Sequence, residues 1–196
     1  MSTYLICGID EVGRGALAGP LLAVAALFEI PYGMFLETEF TPIRGVNDSK
    51  ALTETKRNEV FHRILRSEIL VDFGIGEVSA KDIDNIGIEK ANKIAFAKAL
   101  MDLPMEPKGI IIDGVNKIDH AKMEQLVVPK ADSLYWPVGA ASILAKVIRD
   151  NFMKELAREY PMYGWDTNSG YGTKSHIEAV KNFKSCEWHR HAFLKS

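Results

Sequence analysis

The chain opens with an apolar run, Tyr4 to Ile9, that ends on two adjacent carboxylates, Asp10 and Glu11, and then on a glycine-bracketed arginine, Gly13-Arg14-Gly15. The run reads as a buried strand, and this ending fixes where the strand surfaces. Two carboxylates in an apolar interior repel each other and lose their hydration, so they need open solvent or cations between them. Successive strand residues point to opposite faces, so Asp10 and Glu11 converge only where the strand ends and turns. A solvated acidic turn is the plainer reading of the dipeptide alone. Gly-Arg-Gly adds to it, because glycines on both sides of Arg14 free the backbone for positive φ and let its N–H groups approach an anion or a sugar. Gly13, Gly15 and Gly19 are spaced one residue too widely for a dinucleotide fingerprint, and Pro20 stops a helix from following directly.

The rest of the chain alternates strand and helix patterns. Leu21 to Phe28 is a second buried strand, expected beside the first, and Ile69 to Val78 a third. Thr53 caps a helix to about Arg66, and Ser79 caps a short one from Ala80 to Asp84. A longer amphipathic helix runs from Ile88 to Met101, ended by Pro104 and Pro107. Gly109 to Ile112 is a compact apolar strand that stops at Asp113-Gly114 and repeats the opening design. Open α/β sheets place their chemistry at such carboxyl ends. Gln125 to Pro129 is a further short strand. Val138 to about Tyr160 is one long helix, with Ser142, Lys146 and Asp150 at i, i+4 and i+8 on nearly one face. A Gly-aromatic loop, Tyr163 to Thr173, leads into a last helix from Lys174 to Phe183. The expected organisation is a single domain over 1–196, with 161–196 forming a C-terminal loop and helix beside the site.

Cys7 and Cys186 form neither a metal-ligand spacing nor a disulfide framework, and no apolar run reaches membrane-spanning length. A reduced, cytoplasmic protein is expected. The formal charge of −2 runs against the basic excess usual in nucleic-acid binders. Two divalent cations bound by carboxylates would carry it to +2, with the added charge at the site. Lys174, Lys181, Lys184, Arg190 and Lys195 also outnumber Glu178 and Glu187 in the last stretch, which offers phosphate contacts or simply a solvated tail. His62, His120, His176, His189 and His191 lack any metal-binding spacing and read as surface or structural histidines.

Four carboxylates stand out: Asp10 and Glu11 after the first strand, Asp113 after a later one, and Asp150 on the long helix. Hard oxygen ligands of this kind suit Mg²⁺ or Mn²⁺, and two such ions about 4 Å apart activate water and steady the leaving oxygen of a phosphodiester.

At this point the chain resembles the ribonuclease HII family over nearly its whole length. The matching segments, in order, are GIDEVGRG at Gly8 to Gly15, GVNDSK at Gly45 to Lys50, IDG at Ile112 to Gly114, AASILAKVIRD at Ala140 to Asp150 and NSGYGT at Asn168 to Thr173. The resemblance implies a ribonuclease H-like α/β fold: a mixed five-stranded sheet flanked by helices, with a helical C-terminal portion. It implies hydrolysis of the RNA strand of RNA/DNA hybrids and incision 5′ of ribonucleotides embedded in duplex DNA, leaving 3′-hydroxyl and 5′-phosphate ends. Asp10, Glu11, Asp113 and Asp150 take the four-carboxylate metal role. Gly13, Arg14, Gly15 and Tyr171 read the junction between a ribonucleotide and the next deoxynucleotide. The 2′-hydroxyl marks RNA, so a discriminating site needs backbone groups close to the sugar. Lys50, Ser142 and Lys146 are expected phosphate contacts. A monomer is expected, and contact with a replication clamp is left undetermined.

Three stretches depart from the family pattern: Ala131-Asp132 in place of Gly-Asp, a bulky Tyr135-Trp136-Pro137, and His191-Ala192-Phe193 at the end. The first and last are expected to stay clear of the carboxylates. Two alternatives stand beside this reading. The sibling ribonuclease HIII is opposed by Gly-Arg-Gly where the sibling has Gly-Thr-Gly, and by the lack of an extra domain before the first strand. A non-catalytic nucleic-acid binding module on the same fold is opposed by the presence of all four carboxylates.

Overall fold

The computed structural model describes residues 3–31, 41–46, 52–119 and 121–194. Its centre is a five-stranded mixed sheet in the order β3-β2-β1-β4-β5. The strands are β1 (Thr3–Val12), β2 (Leu21–Pro31), β3 (Leu70–Val78), β4 (Gly109–Asp113) and β5 (Glu124–Val128). β1 pairs antiparallel with β2 and parallel with β4, and β5 continues the parallel half. The carboxyl ends of β1, β4 and β5 therefore emerge side by side along one edge.

The helices are α1 (Glu54–Leu65), α2 (Ala80–Ile86), α3 (Ile88–Met101), α4 (Trp136–Glu159), α5 (Trp165–Asn168), α6 (Lys174–Phe183) and α7 (His191–Leu194). Thr53, Ser79 and Thr173 cap α1, α2 and α6 by accepting a backbone N–H in the first turn, each at the position the sequence indicates. The central strands alternate apolar side chains between two cores. Ile6, Val24, Phe28 and Ile111 pack under α4, while Cys7, Ile9, Ala25, Ile110 and Ile112 pack under α3. Burial on both faces explains why these strands read as continuous apolar runs. A third cluster, around Trp165, Tyr163 and Met153, joins the C-terminal helices to the outer half of α4.

One boundary differs from the sequence reading in a way that shapes the site. β1 does not stop at Ile9. Asp10 and Glu11 remain in the ladder opposite Val24 and Ala23, and the turn comes after Val12. The two neighbouring carboxylates are therefore held on opposite faces of the sheet, Asp10 toward α4 and Glu11 toward α3. α4 lies very close to β1: a Cβ on Gly8 would stand 2.2 Å from the backbone carbonyl of Pro137. Trp136, in the bulky lead-in to α4, is fully buried with its ring 4.7 Å from Phe28, so it fills the core and leaves the site entry alone.

Candidate active site

The parallel register of β1 and β4 sets Ile9 against Ile112, which brings Asp10 and Asp113 together at adjacent strand ends. β5 ends beside Asp113. The chain then turns through Lys130, in the left-handed region at φ 62°, into a 3-10 turn at Ala131–Ser133. That turn returns Asp132 to the same place. One carboxylate oxygen from each of Asp10, Asp113 and Asp132 lies within 4.8 Å of the others. Asp10 is 7% exposed and Asp132 is fully buried, while Asp113 is partly open. Asp113 also accepts the Ala131 N–H at 3.2 Å, which ties the 3-10 turn to β4.

Burial pushes the Asp10 carboxyl well above its ordinary range, and the charges of Glu11 and Asp113 push the same way. A hydrogen bond from Ser142 of α4 and the Glu11 N–H at 2.7 Å act against that shift. Glu11, on the other face, is raised to about 7, first by burial; Arg14 opposes the shift and Asp113 adds to it. Its partner Arg14 approaches at 3.8 Å and is also bonded to Glu89 of α3. Crowded carboxylate oxygens, two of the three from buried residues, are the donor set that a hard divalent cation satisfies.

Asp150 sits elsewhere. Its Oδ1 is 2.6 Å from Lys146 Nζ and accepts the Ser169 hydroxyl at 2.9 Å, and Arg57 stands 3.8 Å from Oδ2. Helical rise supplies the reason: Ser142 touches Asp10, and eight residues of α4 carry Asp150 about 12 Å further along the axis. The shared helix face was legible; the distance along it excludes Asp150 from the group. Among the described residues, the carboxylate that lies with Asp10 and Asp113 is Asp132.

The Gly-Arg-Gly turn is built tightly. Gly13 has φ +88° and lies so close to Arg149 that a Cβ there would be 2.3 Å from Nε. Arg14 projects half-exposed and Gly15 is open. Leu17 N–H and Ala18 N–H both donate to the Gly170 carbonyl, which joins this turn to the loop carrying Tyr171. The Tyr171 ring is partly buried over the Arg149 guanidinium, 5.6 Å from its centroid. Lys146 is engaged with Asp150, and Lys50 lies outside the described residues.

The ribonuclease HII family model matches residues 7–196. The chain belongs to the ribonuclease HII family. It is 42% identical over 98% of its length to a ribonuclease HII from Acetivibrio thermocellus, of which the match covers 70%. It is 40% identical to one from Pelagibacter ubique, covering 96% of this chain and 95% of the relative. The crystal structure of ribonuclease H2 from Pyrococcus horikoshii superposes with a TM-score of 0.79 at 28% identity, over 97% of this chain and 95% of that one. As a member of the ribonuclease HII family this chain is a metal-dependent hydrolytic nuclease on a ribonuclease H-like fold.

Within that family frame, two departures in the sequence acquire structural meaning. Ala131-Asp132, expected to stand clear of the carboxylates, supplies one of them. The signal is in the sequence: a further short strand, Gln125 to Pro129, is again followed closely by an aspartate. In His191-Ala192-Phe193 the contact is carried by backbone, with the His191 and Ala192 N–H groups donating to Asp84 at 2.8 and 2.9 Å, so the Ala192 side chain bears no polar role. Two histidines read as surface or structural prove fully structural: His176 and His189 are buried with their Nε2 atoms 3.2 Å apart. Arg190, counted among the tail's phosphate-facing cations, is entirely buried. No helix among the described residues is long and apolar enough to cross a membrane.

Proposed function

We propose that this chain hydrolyses the RNA strand of RNA/DNA hybrids and incises duplex DNA on the 5′ side of embedded ribonucleotides, leaving 3′-hydroxyl and 5′-phosphate ends. The observation that carries this reading is the convergence of Asp10, Asp113 and Asp132 at three parallel strand ends, next to a Gly-Arg-Gly turn bonded to the Tyr171 loop.

Asp10, Asp113 and Asp132 would hold divalent metal, Mg²⁺ or Mn²⁺, with Glu11 contributing from the opposite face of β1. Two such ions, when bound, supply the positive charge that activates water and stabilises the leaving oxygen of a phosphodiester. The remaining steps belong to the chain's own groups. Ser142 orients Asp10 and favours its ionised form through its hydrogen bond, at a place where its hydroxyl also borders the phosphate. Lys146, neutralising Asp150, presents its ammonium beside the phosphate path. Backbone N–H groups of the Gly13–Gly15 turn approach the ribose, where the 2′-hydroxyl distinguishes RNA from DNA. Tyr171 supplies a flat ring for the sugar that follows. Asp150 acts at a distance, as the anchor of Lys146, Ser169 and Arg57.

The test is cleavage of a DNA duplex bearing one ribonucleotide, with Mg²⁺ or Mn²⁺ and the cut mapped to a single bond. Incision on the 5′ side of the ribonucleotide is expected. Cleavage of uniform hybrid alone, or tight binding without incision, would overturn the reading.

A further inference from the structure

Two arginines in this structure are wholly buried, and the hydrogen-bond acceptors of both are backbone carbonyls. Arg149 of α4 donates from Nε to Pro20 O at 2.9 Å, from one terminal nitrogen to Ala18 O at 3.0 Å and from the other to Ser169 O at 2.8 Å. Its guanidinium also underlies the Tyr171 ring and touches the position a Gly13 side chain would fill. Arg190 donates from Nε and one terminal nitrogen to Gly19 O, at 3.1 and 2.9 Å, and from the other to Arg14 O at 3.1 Å. Burying a guanidinium costs several kcal/mol unless its donors are satisfied, so these carbonyls are held where the fork requires them.

The two forks grip different things. The Arg190 side chain bonds the carbonyls of Arg14 and Gly19 and lies over the Phe193 ring, with no hydrogen bond to the Tyr171 loop among those of its guanidinium. Arg149 packs against Gly13, bonds the Ala18 and Pro20 carbonyls that follow the turn, and at the same time bonds Ser169 of the Tyr171 loop and lies 5.6 Å from the Tyr171 ring centroid. Lysine cannot reproduce this, because a point ammonium does not span three carbonyls in the fixed directions of a guanidinium fork.

We propose that Arg149 is a specificity-determining positioning residue, which fixes Tyr171 against the Gly13–Gly15 turn so that the two halves read one ribonucleotide junction as a rigid unit. This rests on the reading of that turn and Tyr171 given above. A uniform hybrid presents a ribose at every step and tolerates play between the halves. A lone ribonucleotide in DNA offers one register only, and misplacement there is costly.

The experiment measures kcat/KM on a single-ribonucleotide duplex and on a uniform hybrid of the same sequence, for the full chain and for Arg149→Lys, Arg190→Lys, Tyr171→Ala and the Arg149→Lys/Tyr171→Ala double variant. Folding is checked by thermal unfolding. Arg149→Lys is expected to lower the ratio of the two kcat/KM values roughly tenfold, through kcat on the embedded ribonucleotide. In the Tyr171→Ala background it should then lower the ratio little further, whereas Arg190→Lys keeps most of the Tyr171 contribution. Equal loss on both substrates, or effects of Arg149→Lys and Tyr171→Ala that simply multiply, would overturn the coupling. Should Arg149→Lys not fold, Arg149→Gln, which keeps an N–H donor but loses the three-carbonyl fork, is measured in its place with the same two outcomes. Failure of the unmodified chain to cut the single-ribonucleotide duplex would instead count against the proposed function.

Discussion

A carboxylate oxygen of Asp132, on the 3-10 turn after β5, lies within 4.8 Å of one on Asp10, at the end of a strand two places away in the sheet. Asp150, on the polar face of α4, is instead bonded to Lys146 and Ser169. Asp132→Asn is therefore expected to lower kcat by about 100-fold or more, and to weaken divalent-ion binding, when a charged ligand is lost. Asp150→Asn should cost less than about tenfold and leave ion binding near normal. Calorimetric Mn²⁺ titration with parallel cleavage assays separates them, and a reversed order would restore Asp150 to the metal set.

Asp10→Asn should abolish cleavage while leaving the fold intact. Without metal, the substitution removes a buried charge that Glu11 and Asp113 oppose, so the metal-free protein should melt no lower than the parent. Divalent ions should raise the melting temperature of the parent far more than that of the variant. Near-normal turnover at saturating Mg²⁺ would remove Asp10 from the metal site.

Glu11 gives a pH-dependent form of the same argument. Its pKa rises from an ordinary 4.5 to about 7 on folding, so its contribution in chelator is fully present below about 4.5 and is lost as pH rises through 7. Glu11→Gln stays neutral throughout. Relative to the parent, the variant should gain stability over that window, by roughly 3 kcal/mol at pH 8. Denaturant unfolding at pH 5 and pH 8 in EDTA measures the difference, and a gap that does not change with pH would refute it.

His189 titrates in the opposite sense. Burial, followed by the neighbouring His176, depresses its pKa from 6.5 to about 4. The stability it brings as a neutral ring is present above 6.5 and is lost as pH falls through 4, because the unfolded chain takes the proton first. Cys186 N–H donates to its Nδ1, and His176 Nδ1 in turn bonds the Tyr171 carbonyl at 2.9 Å. Replacing His189 with Gln should flatten the unfolding-versus-pH curve between pH 6.5 and 4 by about one proton. An unchanged slope would mean the ring protonates freely in the folded state.

Gly8→Ala tests the seating of α4 on β1. The added Cβ would meet the Pro137 carbonyl at 2.2 Å, and backbone rather than a flexible side chain must move. A loss of roughly 3 kcal/mol is expected, with weaker metal binding because Ser142 shifts from Asp10. Urea unfolding and calorimetry report both effects.

Much of this molecule is legible in its residues. The apolar runs of the strands, the Thr53, Ser79 and Thr173 caps, and the long α4 all stand where the patterns put them, because burial on two faces and capping leave local signatures. Asp10 and Asp113 obey one rule, a carboxylate at the end of an apolar strand. The same rule applied to Gln125–Pro129 leads to Asp132, but the weaker apolar character of β5, an edge strand with partly exposed residues, muted the signal.

The sequence by itself determined the α/β alternation, the family, and the carboxylates offered at strand ends, since these depend on short-range pattern and order. Only the tertiary structure decided which of them meet. Parallel register sets Asp10 beside Asp113, the turn after β5 returns Asp132, and helical rise takes Asp150 away. It also decided that Asp10 and Glu11, neighbours in the chain, face opposite sides of the sheet, because β1 stays paired with β2 beyond the point where its apolar run stops. Distances of that kind are set by strand pairing and packing among segments remote in sequence, and no local pattern encodes them.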